Sequence, residues 1–262
     1  MTPYASLSTF GLAAAGLLGL VVGSFLNVVV HRLPRDQSLA FPGSRCPSCG
    51  AAIAAYDNVP VLSWIVLGGR CRACRAPIGM RYPALEISNG VLWALVFRVA
   101  PSWPDLLTGA FLCAAGLALL AIDAEFQILP DVITLPGIAV GLALAFGSVR
   151  RTPLSALLGA ALGAGGLFLL AFLYEKIAGQ EGMGLGDVKM LGMIGACLGP
   201  AGVLVTVLAA SLSGSVIGIA LMIARGADGK MRLPFGVFLA LGAIGAWFFG
   251  DPLVTRYRSL WP

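Results

Sequence analysis

Leu119-Leu120-Ala121-Ile122-Asp123 closes one long apolar run, and Gly184-Leu185-Gly186-Asp187-Val188-Lys189 opens another. Each places a carboxylate at the margin of a segment apolar enough to cross a bilayer. Ionisable groups there are costly to keep, and their default reading is functional, with a partner nearby. If the two ends meet, Asp123 and Asp187 form a dyad.

Composition sets the class around these two stretches. Hydrophobic residues make up 58% of the 262-residue chain, only 11% are charged, and the mean hydropathy is +0.92. A soluble domain of this length has outer faces that water must wet, so it does not carry so much apolar surface. A helix crosses the hydrocarbon core with roughly 20 apolar residues. Such runs read as spans at residues 10–30, 84–99, 105–122, 131–147, 154–173, 187–198, 201–224 and 234–250. The expected fold is an all-α polytopic membrane protein of about eight transmembrane helices with a cytoplasmic zinc-ribbon-like loop. The segment at 187–198 is short and Gly-rich before Gly199-Pro200, so it is either a half-span or continuous with the next helix through a kink, which gives seven spans.

The first run does not read as a cleavable signal peptide, because residues 1–9 carry no Lys or Arg and the run continues to Val30 before His31-Arg32. It is expected to remain as an anchor. Three parts follow: residues 1–30 as first anchor, 31–83 as a loop, and 84–262 as the transmembrane core. Placing 31–83, 174–189 and 225–233 on one side collects twelve Lys and Arg, against five on the other. The positive-inside rule then puts the amino terminus outside and the 31–83 loop in the cytoplasm, with Asp123 and Asp187 at cytoplasmic helix ends. The expected location is the bacterial inner membrane.

The loop has its own motif. Cys46-Pro47-Ser48-Cys49 is followed, after 21 residues, by Cys71-Arg72-Ala73-Cys74. Two C-x2-C knuckles at this separation supply four thiolates to one tetrahedral Zn2+. A loop of about fifty residues with few large apolar side chains buries little core, so a structural metal would carry much of its folding free energy. Arg45, Arg70, Arg72 and Arg75 flank the ligands, which suits a zinc–tetrathiolate cluster of net negative charge. Disulfides or a redox C-x2-C pair are the alternative, set against a reducing compartment and the lack of a βαβ pattern at either knuckle. Cys113 and Cys197 lie in apolar runs and read as small core residues.

Five ordered stretches carry a family resemblance. Gly23-Ser24-Phe25-Leu26-Asn27-Val28-Val29-Val30-His31-Arg32-Leu33-Pro34 resembles the amino-terminal signature of bacterial type IV prepilin peptidases. So do Asn58-Val59-Pro60-Val61-Leu62-Ser63-Trp64, Arg81-Tyr82-Pro83-Ala84-Leu85-Glu86, Ile128-Leu129-Pro130-Asp131 and Gly184-Leu185-Gly186-Asp187-Val188-Lys189, with the cysteine knuckles in place. The resemblance implies a membrane aspartyl protease of the G-x-G-D type. Its substrates would be precursors of type IV pilins or type II secretion pseudopilins, cut after a glycine behind a short basic leader at the cytoplasmic face. Many members also methylate the new amino terminus with S-adenosylmethionine. By position the family's catalytic pair falls on Asp123 and Asp187. His31 stands where tyrosine is common, and Glu125 where aspartate is common.

The residues support that chemistry independently. Peptide hydrolysis without a covalent intermediate needs one carboxylate to take a proton from water and a second, protonated, to polarise the carbonyl. Two close carboxylates share one proton because both cannot ionise in a low-dielectric site. Gly184 and Gly186 leave the backbone beside Asp187 open to an extended substrate, and Pro130 favours an irregular break between Asp123 and Asp131. Asp131 is an alternative partner for Asp123, or else a first-turn residue of its helix. Lys189 could hold a substrate carboxylate, tune Asp187, or anchor the cytoplasmic end. Glu86 is a candidate for binding S-adenosylmethionine or a substrate amine, or for pairing with Arg81.

Other classes fit the same residues. A transporter or channel would use the Asp pair for an ion, against which stand the lack of an evident inverted repeat and the position of the pair at one face. A non-catalytic pilus or secretion assembly factor would use the zinc loop alone. The expected partners are the prepilin or pseudopilin and the lipid bilayer, with no nucleic acid. Nothing in the sequence fixes the oligomeric state.

Overall fold

The apolar runs become helices wherever Pro, Gly and charged residues do not interrupt them. A computed structural model describes residues 8–179, 184–225 and 233–259. Lys230 and Arg232, which enter the charge count by side, lie outside the described residues. The chain divides into two compact units, Met1–Ala100 and Pro101–Pro262.

In the first unit a long helix, α1 (Ser8–Arg32), packs against α3 (Arg81–Val99), and a short helix, α2 (Leu62–Val66), lies in the loop between them. Buried amides hold the pair together where lipid offers no hydrophobic drive. Asn89 Nδ2 donates to the Gly19 carbonyl at 2.7 Å, and Asn27 Nδ2 donates to the Tyr82 carbonyl at 3.2 Å. Asn27 thus bonds one helix to the other. At the end of α1, Arg32 donates to the carbonyls of Ser38, Pro42 and Gly43, which folds the start of the loop back on the helix.

The second unit holds α4 (Trp103–Phe126), α5 (Asp131–Leu144), α6 (Pro153–Ala178), α7 (Leu185–Arg225) and α8 (Phe235–Arg258). Ser102 and Thr152 cap α4 and α6 by accepting from the amides of Asp105 and Ser155, and a proline stands in each first turn. Helix α4 runs past Asp123 to Phe126 and ends on Gln127 in a left-handed conformation, φ 55°.

The expected segments 187–198 and 201–224 are two limbs of α7, separated at Gly199, whose φ of 73° and ψ of −179° are not helical. The chain doubles back there. The first limb runs antiparallel to α6, with Gly195 against Gly159 and Gly199 against Ser155. The second runs antiparallel to α8, with Gly242 against Thr206 and Gly218 against Leu233. Gly186 and Gly218 would be about 48 Å apart in a straight helix, yet both lie close to the start of α8, Gly186 through Leu129 and Gly218 through Leu233.

A polar bracket ties the other end of this unit. Buried Asp105 accepts from the Val149 amide at 2.9 Å and from the hydroxyls of Ser102 and Ser148. Arg151, only 6% exposed, donates to Thr108 Oγ1 at 2.7 Å. Arg150 lies over the Trp247 ring and donates to its carbonyl at 3.0 Å. The sequence presents Arg150 and Arg151 as loop charges, whereas the structure spends them on joining helices.

Among the described residues five segments are long and apolar enough to cross a membrane: Thr9–Arg35, Trp103–Phe126, Pro153–Ala178, Leu185–Ala224 and Phe235–Arg258. Asp131–Gly147 is a shorter apolar segment. Arg81, Glu86, Asn89 and Arg98 lower the hydropathy of α3. The molecule is an all-α, multi-pass membrane protein.

The α6–α7 contact is backbone on backbone: a Cβ on Gly195 would fall 2.0 Å from the Gly159 carbonyl oxygen, whereas one on Gly165 meets nothing within 4 Å. Gly195→Ala should therefore destabilise the protein by about 1–3 kcal/mol, while Gly165→Ala should be neutral or slightly stabilising. Thermal unfolding of the two variants in detergent measures the difference.

Candidate active site and metal centre

The two cysteine knuckles repeat one backbone pattern. Cys46 N donates to the Ala51 carbonyl and Gly50 N to the Cys46 carbonyl, both at 2.9 Å. In the second knuckle Cys71 N donates to Ala76 at 2.9 Å and Arg75 N to Cys71 at 3.0 Å. Gly50 and Arg75, each one residue beyond a knuckle, both have positive φ, at 72° and 60°. The pattern turns four side chains inward: the Sγ atoms of Cys46, Cys49, Cys71 and Cys74 lie within 4.8 Å of one another, with 3.8 Å between Cys46 and Cys74. A tetrahedral zinc with bonds of about 2.3 Å sets its sulfurs about 3.8 Å apart. All four are free thiols. Amides of Cys49 and Ser48 aimed at Cys46 lower that thiol to about 6, so its thiolate is readily formed. The four cysteines could hold one metal ion. Cys113 and Cys197 are fully buried elsewhere, as expected of core residues.

The carboxylates gather in the second unit. Asp123, on the last turn of α4, is 5% exposed, and its Oδ2 accepts from the Val237 amide at 3.0 Å, with the Gly236 amide also directed at it. Asp187 is half-buried in the first turn of α7, where its amide donates to the Gly184 carbonyl at 3.2 Å. The two carboxylates are close enough to interact electrostatically. Leu129, in the irregular stretch before Pro130, lies against both Gly186 and Gly236. Three separate segments therefore converge around this pair.

Asp131 occupies the first position of α5, with Pro130 as N-cap. Both of its oxygens accept from Lys189 Nζ, at 2.9 and 2.7 Å. Lys189 is thus engaged with Asp131. Glu86, in the first unit, is buried, and its Oε2 accepts from the Val61 amide at 2.8 Å. Val61 has φ 61°, an unusual conformation for a β-branched residue. The carboxylate therefore holds a bent segment, 58–61, against α3. That segment walls a cavity of about 500 Å³ whose other lining includes Ser24, Phe25 and Val28 of α1.

Sequence reading did not single out Gly236 or Val237, and met Leu129 only within the Ile128-Leu129-Pro130-Asp131 stretch. The first two act through backbone, which leaves no side-chain signature, and a glycine at the start of an apolar run carries no chemistry by itself. Only Pro234 just before Gly236 hinted at a helix start close to the membrane margin.

The architecture and its polar groups define a multi-pass membrane protein with a carboxylate pair at the helix ends of one unit and a four-cysteine cluster in the other. Residues 17–99 match the Bacterial Peptidase A24 N-terminal domain, and residues 110–219 match the Type IV leader peptidase family. The chain is 41% identical over 286 residues to a prepilin leader peptidase/N-methyltransferase of Burkholderia pseudomallei (strain 1026b), covering 96% of this chain and 90% of that protein. It is 38% identical to one from Neisseria gonorrhoeae, covering 100% and 96%, and 36% identical to one from Pseudomonas aeruginosa, covering 92% and 91%. No solved structure matches. The chain belongs to the type IV leader peptidase family.

Proposed function

We propose that this protein cleaves the short basic leader from type IV prepilins or type II secretion pseudopilins, and methylates the amino terminus so exposed, with Asp123 and Asp187 as the hydrolytic dyad. The observation that carries the dyad is the convergence of these two carboxylates, from α4 and α7, within electrostatic reach of each other. One takes a proton from water while the other, protonated, polarises the scissile carbonyl; the two share a proton because both cannot be charged in so dry a site. Asp131 is the weaker partner because Lys189 neutralises it at 2.7 Å. Gly184 leaves the backbone before Asp187 open, since a Cβ there would meet nothing closer than 3.9 Å among the described residues, whereas the space at Gly186 is taken by Leu129.

The Lys and Arg distribution supports an amino terminus outside and the dyad at the cytoplasmic face of the inner membrane. The leader's basic residues would then stay in the cytoplasm, and the pilin's apolar stretch would lie in the bilayer. An ion-coupled transporter is not supported by the family, and neither is a scaffold without catalysis. Zn2+ would be held by Cys46, Cys49, Cys71 and Cys74 as a structural ion, since tetrathiolate ligation leaves no open position for chemistry.

S-adenosylmethionine supplies, when bound, a methyl carbon activated for transfer to an amine. The cavity beside α1 has a volume suited to such a ligand. Its Phe25 ring, Ser24 hydroxyl and Asn58 amide would hold the base and sugar. Glu86 acts there as a prop for the 58–61 wall, because its carboxylate is already bonded to Val61. Of the readings open for Glu86, this bond favours a supporting role beside the cavity over direct contact with the methyl donor.

Asp123→Asn and Asp187→Asn should each abolish leader cleavage in protein that still inserts, while Asp131→Asn keeps substantial activity. The same assay tests orientation with prepilins whose cleavage glycine is moved two, four and six residues into the apolar stretch. Processing should fail along the series, and undiminished cleavage would remove the case for a site at the membrane surface.

Purified protein should carry one zinc per chain by elemental analysis, lowered in Cys46→Ser or Cys71→Ser. Finding no zinc and the four cysteines as disulfides would overturn the metal reading. Titration calorimetry with S-adenosylmethionine should show binding that Asn58→Ala weakens. Unchanged binding in that variant would place the donor elsewhere.

A further inference from the structure

We infer that the amino end of α8 is the anchor of Asp123: the Val237 amide holds Oδ2, and Gly236 is the residue whose missing side chain lets it do so. The inference rests on the dyad reading above and deepens it by adding positioning residues for the same carboxylate.

The geometry is specific. Helix α8 begins at Phe235, so Gly236 and Val237 are its second and third residues. The first amides of a helix have no partner within it and lie at the positive end of its dipole. Here the Val237 amide donates to Asp123 Oδ2 at 3.0 Å. The Gly236 amide is directed at the same carboxylate, whereas no hydrogen bond to the Asp187 carboxylate is seen among the described residues. Asp123 is therefore the fixed member of the pair.

Gly236 sets how close the helix comes. A Cβ there would fall 2.8 Å from Asp123 Oδ2, 3.1 Å from its Cγ and 3.0 Å from Leu129 Cδ2. Any side chain must push α8 and the carboxylate apart, breaking the 3.0 Å bond at the oxygen that carries it. Because backbone supplies the donor, the carboxylate's rotamer is tied to the position of an entire helix rather than to one mobile side chain.

The test uses the full chain, purified in detergent, cleaving a prepilin. Val237→Pro replaces the N–H by a ring carbon and so removes the donor to Oδ2; an amide at the third helical position makes no bond within the helix, and a proline in the first turn is tolerated. Val237→Ala is the comparator: it trims the side chain and keeps the amide. A hydrogen bond to a charged group makes the expected fall in kcat, Val237→Pro against Val237→Ala, about ten- to a hundredfold. KM and zinc content should agree between the two. Gly236→Ala should lower kcat in the same way, and it decides alone should Val237→Pro fail to insert.

Equal kcat in Val237→Pro and Val237→Ala overturns the inference. So does wild-type kcat in Gly236→Ala, or a loss carried by a raised KM alone. Asp123→Asn, assayed beside them, separates the two levels. Normal cleavage by it removes the dyad reading itself, whereas a dead Asp123→Asn with an active Val237→Pro removes only the anchor.

Discussion

A carboxylate on the last turn of an apolar helix needs hydrogen-bond donors, and Asp123 takes its donor from backbone. Much of the second unit follows from that bond. Helix α8 must start where α4 ends, so the chain between them has to return to the same end of the unit. It does so by way of α5, α6 and a helix that folds on itself at Gly199. Leu129 fills the space that remains, its side chain against Gly186 on one side and Gly236 on the other. The stretch at 128–130 is irregular because Gln127 ends α4 in a left-handed turn and Pro130 precedes α5.

The second acidic residue nearby shows how the same helices separate the proposed dyad from an ion pair. Lys189 follows Asp187 by two residues, a spacing that puts side chains on different sides of a helix. It therefore turns from Asp187 to Asp131, and bonds both of its oxygens. Asp131 is neutralised by this contact, and no Lys or Arg partner is seen for the Asp123 and Asp187 carboxylates among the described residues. A shared proton is then the available way to relieve two close negative charges, which is the state that acid–base hydrolysis of a peptide requires.

Legibility from sequence followed the kind of information each feature carries. Hydropathy located the long apolar helices because lipid demands long apolar runs, but five of the described segments, not eight, are long and apolar enough to cross. The knuckles were readable in full, since C-x2-C spacing and covalent chain geometry fix where four thiols can meet. Gly199-Pro200 announced a break but not its angle, because a glycine permits a reversal without requiring one. Arg151 read as a loop charge and is instead buried on Thr108, a pairing between residues 43 apart that no local pattern records. The Val237 amide was invisible for a simpler reason: every residue but proline has one, and only the fold selects which amide meets a carboxylate.

Precision at the aspartates then depends on what keeps the helices from sliding. Apolar side chains cannot do it alone, since lipid tails are as apolar as leucine and helices gain little by leaving them. The first limb of α7, which carries Asp187, is instead pressed backbone to backbone on α6, where Gly195 and Gly159 leave no room for a methyl group on either helix. At the opposite end of α4 from Asp123, Asp105 binds the segment that leads into α6, and Arg150 of that segment reaches α8. The helices are thus clamped through polar bonds at one end and close glycine contact along their length. A shift large enough to separate Asp123 from Asp187 would have to break a buried carboxylate's hydrogen bonds some 27 Å away along α4, so the distant polar bracket and the proposed active site act as two ends of one rigid frame.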